Sequence, residues 1–205
     1  MMAQLLQGFQ VTLLFFSVTL VVSIPLGLLL AVIASRLHKV GQYALRVYVA
    51  IFRGTPLLLQ MLFIFFGLPY LGIRLGRYEA AFVTLILNYA AYFVEIFRGG
   101  LNAVPRGQFE ALQVLSVNPT VGFRRVILPQ VWRIVMPSIG NEVITLIKDT
   151  SLIYVLGLEE LLKVGRSWSN QTASLMPFVY VGVIYLAFTS VTGFVLQKIE
   201  QRLSE

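Results

Sequence analysis

Cysteine is absent, histidine and aspartate occur once each (His38 and Asp149), and charged residues make up only 12% of the 205-residue chain. Without cysteine there is no disulfide, no thiol chemistry and no signal about redox compartment. One histidine and one aspartate leave no zinc set and no Ser-His-Asp triad to assemble, which argues against an enzyme. His38 stands beside Arg36 and Lys39 and reads as a solvated residue. The chain also lacks the G-x-x-x-x-G-K-[ST] pattern, and so has no phosphate-cradling loop of its own. The scarcity of charge decides most. Soluble chains carry about 25% charged residues, whereas 58% of this chain is hydrophobic, and that excess belongs in lipid. The net charge of +7 does not point to nucleic acid, because the basic residues fall between long apolar runs.

Five runs read as membrane spans: Val11 to Ser35, interrupted by Pro25 and Gly27; Pro56 to Gly72; Tyr78 to Phe97; Pro137 to Gly157; and Pro177 to Gln197. Each reaches about 17–25 residues, enough to cross ~30 Å of hydrocarbon, and in lipid such runs must be helices. The second is the shortest, with Gln60 its one strongly polar side chain, and its helix is expected to begin earlier, around Arg46. The first run lacks a basic leader and a cleavage site and is expected to be a retained helix. Alternate connecting segments divide the basic residues unevenly. One set holds Arg36, Lys39, Arg46, Arg53, Arg98, Arg106, Arg124, Arg125, Arg133, Lys198 and Arg202; the other holds Arg74, Arg77, Lys163 and Arg166. The positive-inside rule puts the N-terminus outside, with segment 98–136 and the C-terminus in the cytoplasm. The whole reads as one all-helical membrane domain over 8–199, without an internal repeat.

Segment 98–136 is patterned. Phe109, Leu112 and Leu115 share one face of a short helix over Gln108–Leu115, which Ser116 and Val117 break. Asn118 followed by Pro119 is a helix start, and Val121, Val126, Ile127 and Leu128 give a second apolar helix ending at Pro129. The two make a hairpin under the membrane, with Arg124 and Arg125 near headgroups. Pattern alone also allows an amphipathic surface loop with no partner.

The stretch GQFEALQVLSVNPTVGFRRVILPQ resembles the EAA loop of bacterial ABC importer permeases, matching at Glu110, Ala111, Ile127, Leu128 and Pro129. Leu112 stands where the second alanine is usual and Ser116 where glycine is usual; serine is the less comfortable residue in a turn of positive φ. FRGTPLLLQ at 52–60, AAYFVEIFRGGL at 90–101 and IKDTSLIYVLG at 147–157 are similar to the polar amino-acid permease subfamily, and the resemblance covers nearly the whole chain. It implies a type I importer fold. It also implies a second permease subunit, two cytoplasmic ATPase subunits that bind ATP and magnesium, and an external substrate-binding protein docking on outer loops such as Leu158 to Met176. The cargo implied is a polar amino acid, with cationic and sulfur-containing ones among the candidates. Gly107, Glu110, Ala111, Leu115, Ser116 and Pro119 would form the coupling loop. Glu110 either contacts the ATPase or favours the helix start by its charge, and the two roles are compatible.

Polar groups inside spans are costly and invite a functional reading. At 100° per residue Glu142 and Asp149 fall about 20° apart on one face, with Asn141 and Lys148 on a neighbouring stripe. Asn88, Tyr92 and Glu95 share a face of the third span, and Glu95 also stands ready to pair with Arg98. These stripes either line a path, Lys148 meeting a ligand carboxylate and Asp149 an ammonium, or make helix–helix contacts and an internal ion pair. The hydroxyls of Thr150 and Ser151 serve a ligand or the backbone. The rival class is an ion-coupled secondary transporter or channel, against which the lack of an inverted repeat counts; a scaffold that transports nothing leaves the buried charges unexplained.

Overall fold

The computed structural model describes residues 2–34 and 37–204. Ser35, the expected end of the first span, and Arg36, a member of the basic set, lie outside the described residues. The described residues are helical, with no strand. In chain order they form α1 (Met2–Ala34), α2 (Lys39–Gly54), α3 (Leu57–Leu62), α4 (Arg77–Ala103), α5 (Arg106–Val114), α6 (Pro119–Gly122), α7 (Leu128–Asp149), α8 (Leu161–Thr172) and α9 (Met176–Ser204). A wide π turn, Phe63–Gly67, and a tight 3-10 turn, Leu68–Leu71, extend α3; a second π turn, Phe123–Ile127, joins α6 to α7.

Three helices, Ala3–Ala34, Arg77–Ala103 and Met176–Leu203, are long and apolar enough to cross a membrane. A fourth crossing is formed if α2 and the α3 segment, bent by 109° at their junction, count as one broken span. The expected fourth span, Pro137 to Gly157, falls on α7 and the 3-10 turn Thr150–Leu156, and does not qualify by length and composition. That helix carries Arg133, Glu142, Lys148 and Asp149.

α4 is the hub. Ala80, Ala81, Ala90 and Ala91 are buried along it, and their small side chains let neighbours approach closely. α1 packs most extensively on α4, and the two helices come close at Gly27, where a Cβ would overlap Phe93. Gly27 therefore serves as a helix–helix contact. Contrary to the expected interruption, α1 runs unbroken through Pro25 and Gly27. α7 packs on α4 two turns farther along, at Gly100, where a Cβ would overlap Val135. Tyr89, Phe93 and Phe97 fill the core between these helices.

Three other boundaries differ from the sequence reading. α1 starts at Met2, well before Val11, because Leu5 and Phe9 pack on Leu161 and Val164 of α8. The helix after Asn118 does not stop at Pro129 but continues through Pro137 to Asp149. The π turn before Pro129 has already broken the regular ladder, so a residue without an N–H costs less there. Finally, the segment Leu158 to Met176 contains α8, where only a loop was expected.

Candidate functional site

The site begins with the break between α2 and α3. Pro56 disfavours helical geometry at Thr55, which is extended at φ −123° and ψ 150°. The break frees backbone carbonyls, which side chains then satisfy. Gln60 Nε2 donates to Phe52 O (2.9 Å), Thr55 O (3.0 Å) and Thr55 Oγ1 (2.8 Å). Asn88 Nδ2, from α4, donates to Phe52 O (2.8 Å) and Gln60 Oε1 (2.9 Å). This knot explains a glutamine in an apolar run: carbonyls released by a helix break and shielded from water need protein partners.

Behind the knot lies an open-sided cavity of about 420 Å³, walled by residues 55–58 of the break, by Asn88, Tyr89 and Tyr92 of α4, and by Glu142, Thr145, Asp149 and Leu152 of α7 and its 3-10 extension. The volume lies within the roughly 300–1,000 Å³ of small-molecule sites. Its lining holds two carboxylates and no cationic side chain. Tyr89 Oη donates to Asp149 Oδ2 at 2.8 Å, fixing that carboxylate against α4. The arrangement suits an ammonium or another cation with hydrogen-bonding groups.

Of the residues singled out from the sequence, Asn88, Tyr92, Glu142 and Asp149 meet in this cavity. Glu95 sits a turn away, accepting from Arg98 Nη2 at 2.5 Å and lying 3.8 Å from Arg53 Nη1. Lys148 and Ser151 face a separate groove with Leu162, Phe178, Val181, Gly182 and Tyr185. Ser151 Oγ donates to Lys148 O (2.7 Å), and buried Thr150 Oγ1 donates to Ile147 O (2.6 Å). Asn141 is exposed, and its carbonyl accepts from Thr145 Oγ1 (3.0 Å). Sequence reasoning did not select Thr55, Tyr89 or Thr145. Thr145 was within reach, since it lies three residues after Glu142 on the same helical face.

The hairpin forms as a closed unit. Val117 N donates to Leu112 O and Ser116 N to Gln113 O, both at 3.0 Å, the paired bonds of a Schellman end to α5. Ser116 occupies its left-handed position at φ 51°, where glycine is usual. Asn118 Oδ1 accepts from Thr120 N (3.0 Å) and Pro119 opens α6. Leu112 lies over Gly122, where a Cβ would stand 3.0 Å from Leu112 Cδ1, so the larger residue is accommodated by the facing glycine. Gly107, Glu110 and Ala111 are exposed, and Val114 (84%) and Leu115 (73%) present bare apolar side chains at the tip. α5 starts at Arg106, so Glu110 lies beyond its first turn, where the helix dipole has faded.

Three long apolar helices, one of them bordering a polar cavity at a helix break, point to a polytopic membrane transport subunit. A sequence profile of the family described as "Binding-protein-dependent transport system inner membrane component" matches residues 23–205, and the chain belongs to that family. It is 34% identical to the arginine transport system permease protein ArtQ of Bacillus subtilis over 203 residues, covering 97% of this chain and 92% of ArtQ. It is 33% identical to the glutamine transport system permease protein GlnP of Escherichia coli over 202 residues, with the same coverage. Its fold matches the crystal structure of an amino acid ABC transporter with histidines at a TM-score of 0.88 and 29% identity, covering 98% of this chain and 94% of that one. Membership removes the secondary transporter, the channel and the scaffold from the open readings.

Proposed function

We propose that this chain is the pore-forming subunit of an ATP-driven importer for a polar amino acid, with a preference for a cationic group on the cargo. The observation that carries the reading is the cavity behind the Thr55–Pro56 break, with Glu142 and Asp149 and no cationic side chain in its wall. The names of its relatives support an amino acid as cargo. An ammonium would sit between the two carboxylates, with Tyr89 holding Asp149 in place and Asn88, Thr55 and Tyr92 offering polar contacts.

Five crossings are the count this reading adopts: α1, the broken α2–α3, α4, α7 and α9. Glu142 and Asp149 turn toward protein rather than lipid, which lets α7 cross despite its charge. The distribution of lysine and arginine supports an N-terminus outside and the hairpin and C-terminus in the cytoplasm. Two copies, or one copy and a related permease, would form the pore. The exposed Val114 and Leu115 suit docking in a groove of each of two ATPase subunits, which would bind ATP and magnesium. An external binding protein would deliver the cargo near α8.

The test is Asp149→Asn and Glu142→Gln in the complex reconstituted with its ATPase and binding protein. Each is expected to lower uptake at least about tenfold, about 1.4 kcal/mol, while assembly and basal ATP hydrolysis persist. Parallel loss of uptake, assembly and hydrolysis would assign both carboxylates to helix packing instead.

A further inference from the structure

A second pocket, of about 320 Å³, opens where the last turn of α1, the middle of α2 and the last turns of α4 meet. α1 and α4 are both long and apolar enough to cross a membrane, so their shared end stands at the depth of lipid headgroups. The buried wall of the pocket is apolar, with Ala31, Val49 and Val94. Its exposed rim carries Arg46, Arg98 and Asn102, with Gln42 and Glu95 half-buried between.

The two cations of this pocket share one carboxylate, and that carboxylate is already engaged. Glu95 Oε2 accepts from Arg98 Nη2 at 2.5 Å, and Arg53, outside the pocket, lies 3.8 Å from it. Among the described residues the Arg46 guanidinium has neither an ion pair nor a hydrogen bond, and the Asn102 side chain has no hydrogen bond. Gln42 gives one amide N–H to Leu37 O (3.1 Å) and keeps the other. Arg46 lies on one stripe of α2 with Lys39 and Arg53, seven residues to either side, because a helix drifts only about 20° per heptad. Val40, Tyr43, Val47 and Ile51 stand exposed beside that stripe. Bare apolar side chains next to an unpaired cation, at a membrane boundary, suit acyl chains on the one and phosphate on the other.

We propose that this pocket seats the phosphate of an anionic phospholipid. Arg46 and the remaining N–H groups of Arg98 bind the phosphate oxygens by charge-assisted hydrogen bonds, while Gln42 and Asn102 donate to the glycerol side. The first methylenes of the lipid lie against Ala31, Val49 and Val94. A zwitterionic headgroup would bring an ammonium as well, and Glu95, already paired with Arg98, offers it no partner. The lipid ties α2 to the ends of α1 and α4, just before the Thr55–Pro56 break, and does so whatever the cargo is.

The test is native mass spectrometry of the purified complex titrated with phosphatidylglycerol or phosphatidylcholine, read as the affinity of the tightest-bound lipid. Phosphatidylglycerol is expected to bind more tightly, and Arg46→Gln should weaken it roughly fivefold, the worth of one basic residue at an anionic headgroup. Phosphatidylcholine should be unaffected, and Arg46→Lys should keep most of the preference. Ala34→Phe, which fills the pocket and removes no charge, should weaken phosphatidylglycerol as far. Arg125→Gln, an equal loss of charge outside the pocket, should leave it intact. No weakening in Arg46→Gln, or an equal weakening in Arg125→Gln, overturns the proposal, because the attraction would then be diffuse. Displacement of bound phosphatidylglycerol by millimolar inorganic phosphate overturns the lipid and makes a soluble phosphate the ligand.

Discussion

Glu160 gives a prediction whose size follows from the structure. It is fully buried (0% exposed) at the N-cap of α8, where Oε2 accepts from Leu162 N and Oε1 from Lys163 N, both at 2.6 Å. Tyr185 Oη of α9 donates to it at 3.2 Å, and Leu161 N donates to Thr12 Oγ1 of α1 at 3.3 Å, so the cap is where α8 joins both long helices. Burial pushes the carboxyl up from 4.5 to about 7, against the lowering pull of those two backbone N–H groups, the Tyr185 hydroxyl and the Lys163 charge. A carboxyl with a raised pKa holds its proton more firmly docked than undocked. Docking is then favoured at low pH and loses that advantage as pH climbs from about 4.5 to about 7. Between pH 5 and pH 8 the loss is about 2–3 kcal/mol. Hydrogen exchange at the Leu162 and Lys163 amides reads it directly: corrected for intrinsic rates, both should exchange roughly 50- to 100-fold faster at pH 8 than at pH 5. Glu160→Gln keeps the shape without the charge and should flatten the dependence. Protection that is constant or rises with pH, or a slope that survives in Glu160→Gln, refutes the reasoning.

Three further outcomes are expected. Gly27→Leu forces a side chain into Phe93 at the α1–α4 contact and should cost about 1–3 kcal/mol, seen as a lower melting temperature and less assembled complex. Ser116→Gly relieves a left-handed serine at φ 51°; a gain of about 0.5–1 kcal/mol should slow proteolysis of the hairpin without weakening ATPase binding. Tyr89→Phe removes the 2.8 Å bond to Asp149 and should reduce uptake several-fold while leaving basal ATP hydrolysis unchanged, as measured in liposomes.

The helical class was legible because apolar runs in lipid leave the backbone no other choice. The side-by-side placement of Glu142 and Asp149, and of Asn88 and Tyr92, was legible because α4 and α7 are regular there and the 3.6-residue period carries across them. The hairpin joint was legible because Asn118 and Pro119 act locally. What escaped depends on contacts distant in sequence. α8 reads as a polar loop until Glu160 is seen to be buried and bonded by Tyr185, with Thr12 on the neighbouring Leu161 amide. The 109° bend needs Gln60 and Asn88 together, two residues that are 28 positions apart. Lys148 and Asp149 are neighbours in sequence but about 100° apart around the helix, and so face different grooves.

The central claim, ATP-driven import of a polar amino acid, is tested most directly by co-expressing the chain with candidate ATPase subunits. The complex is reconstituted in liposomes with an external binding protein, and uptake is measured across labelled amino acids. Uptake of a polar, preferentially cationic amino acid is expected, abolished without ATP or when Val114 and Leu115 at the hairpin tip are both replaced by aspartate. Uptake driven by an ion gradient alone, with no ATPase bound, would contradict it.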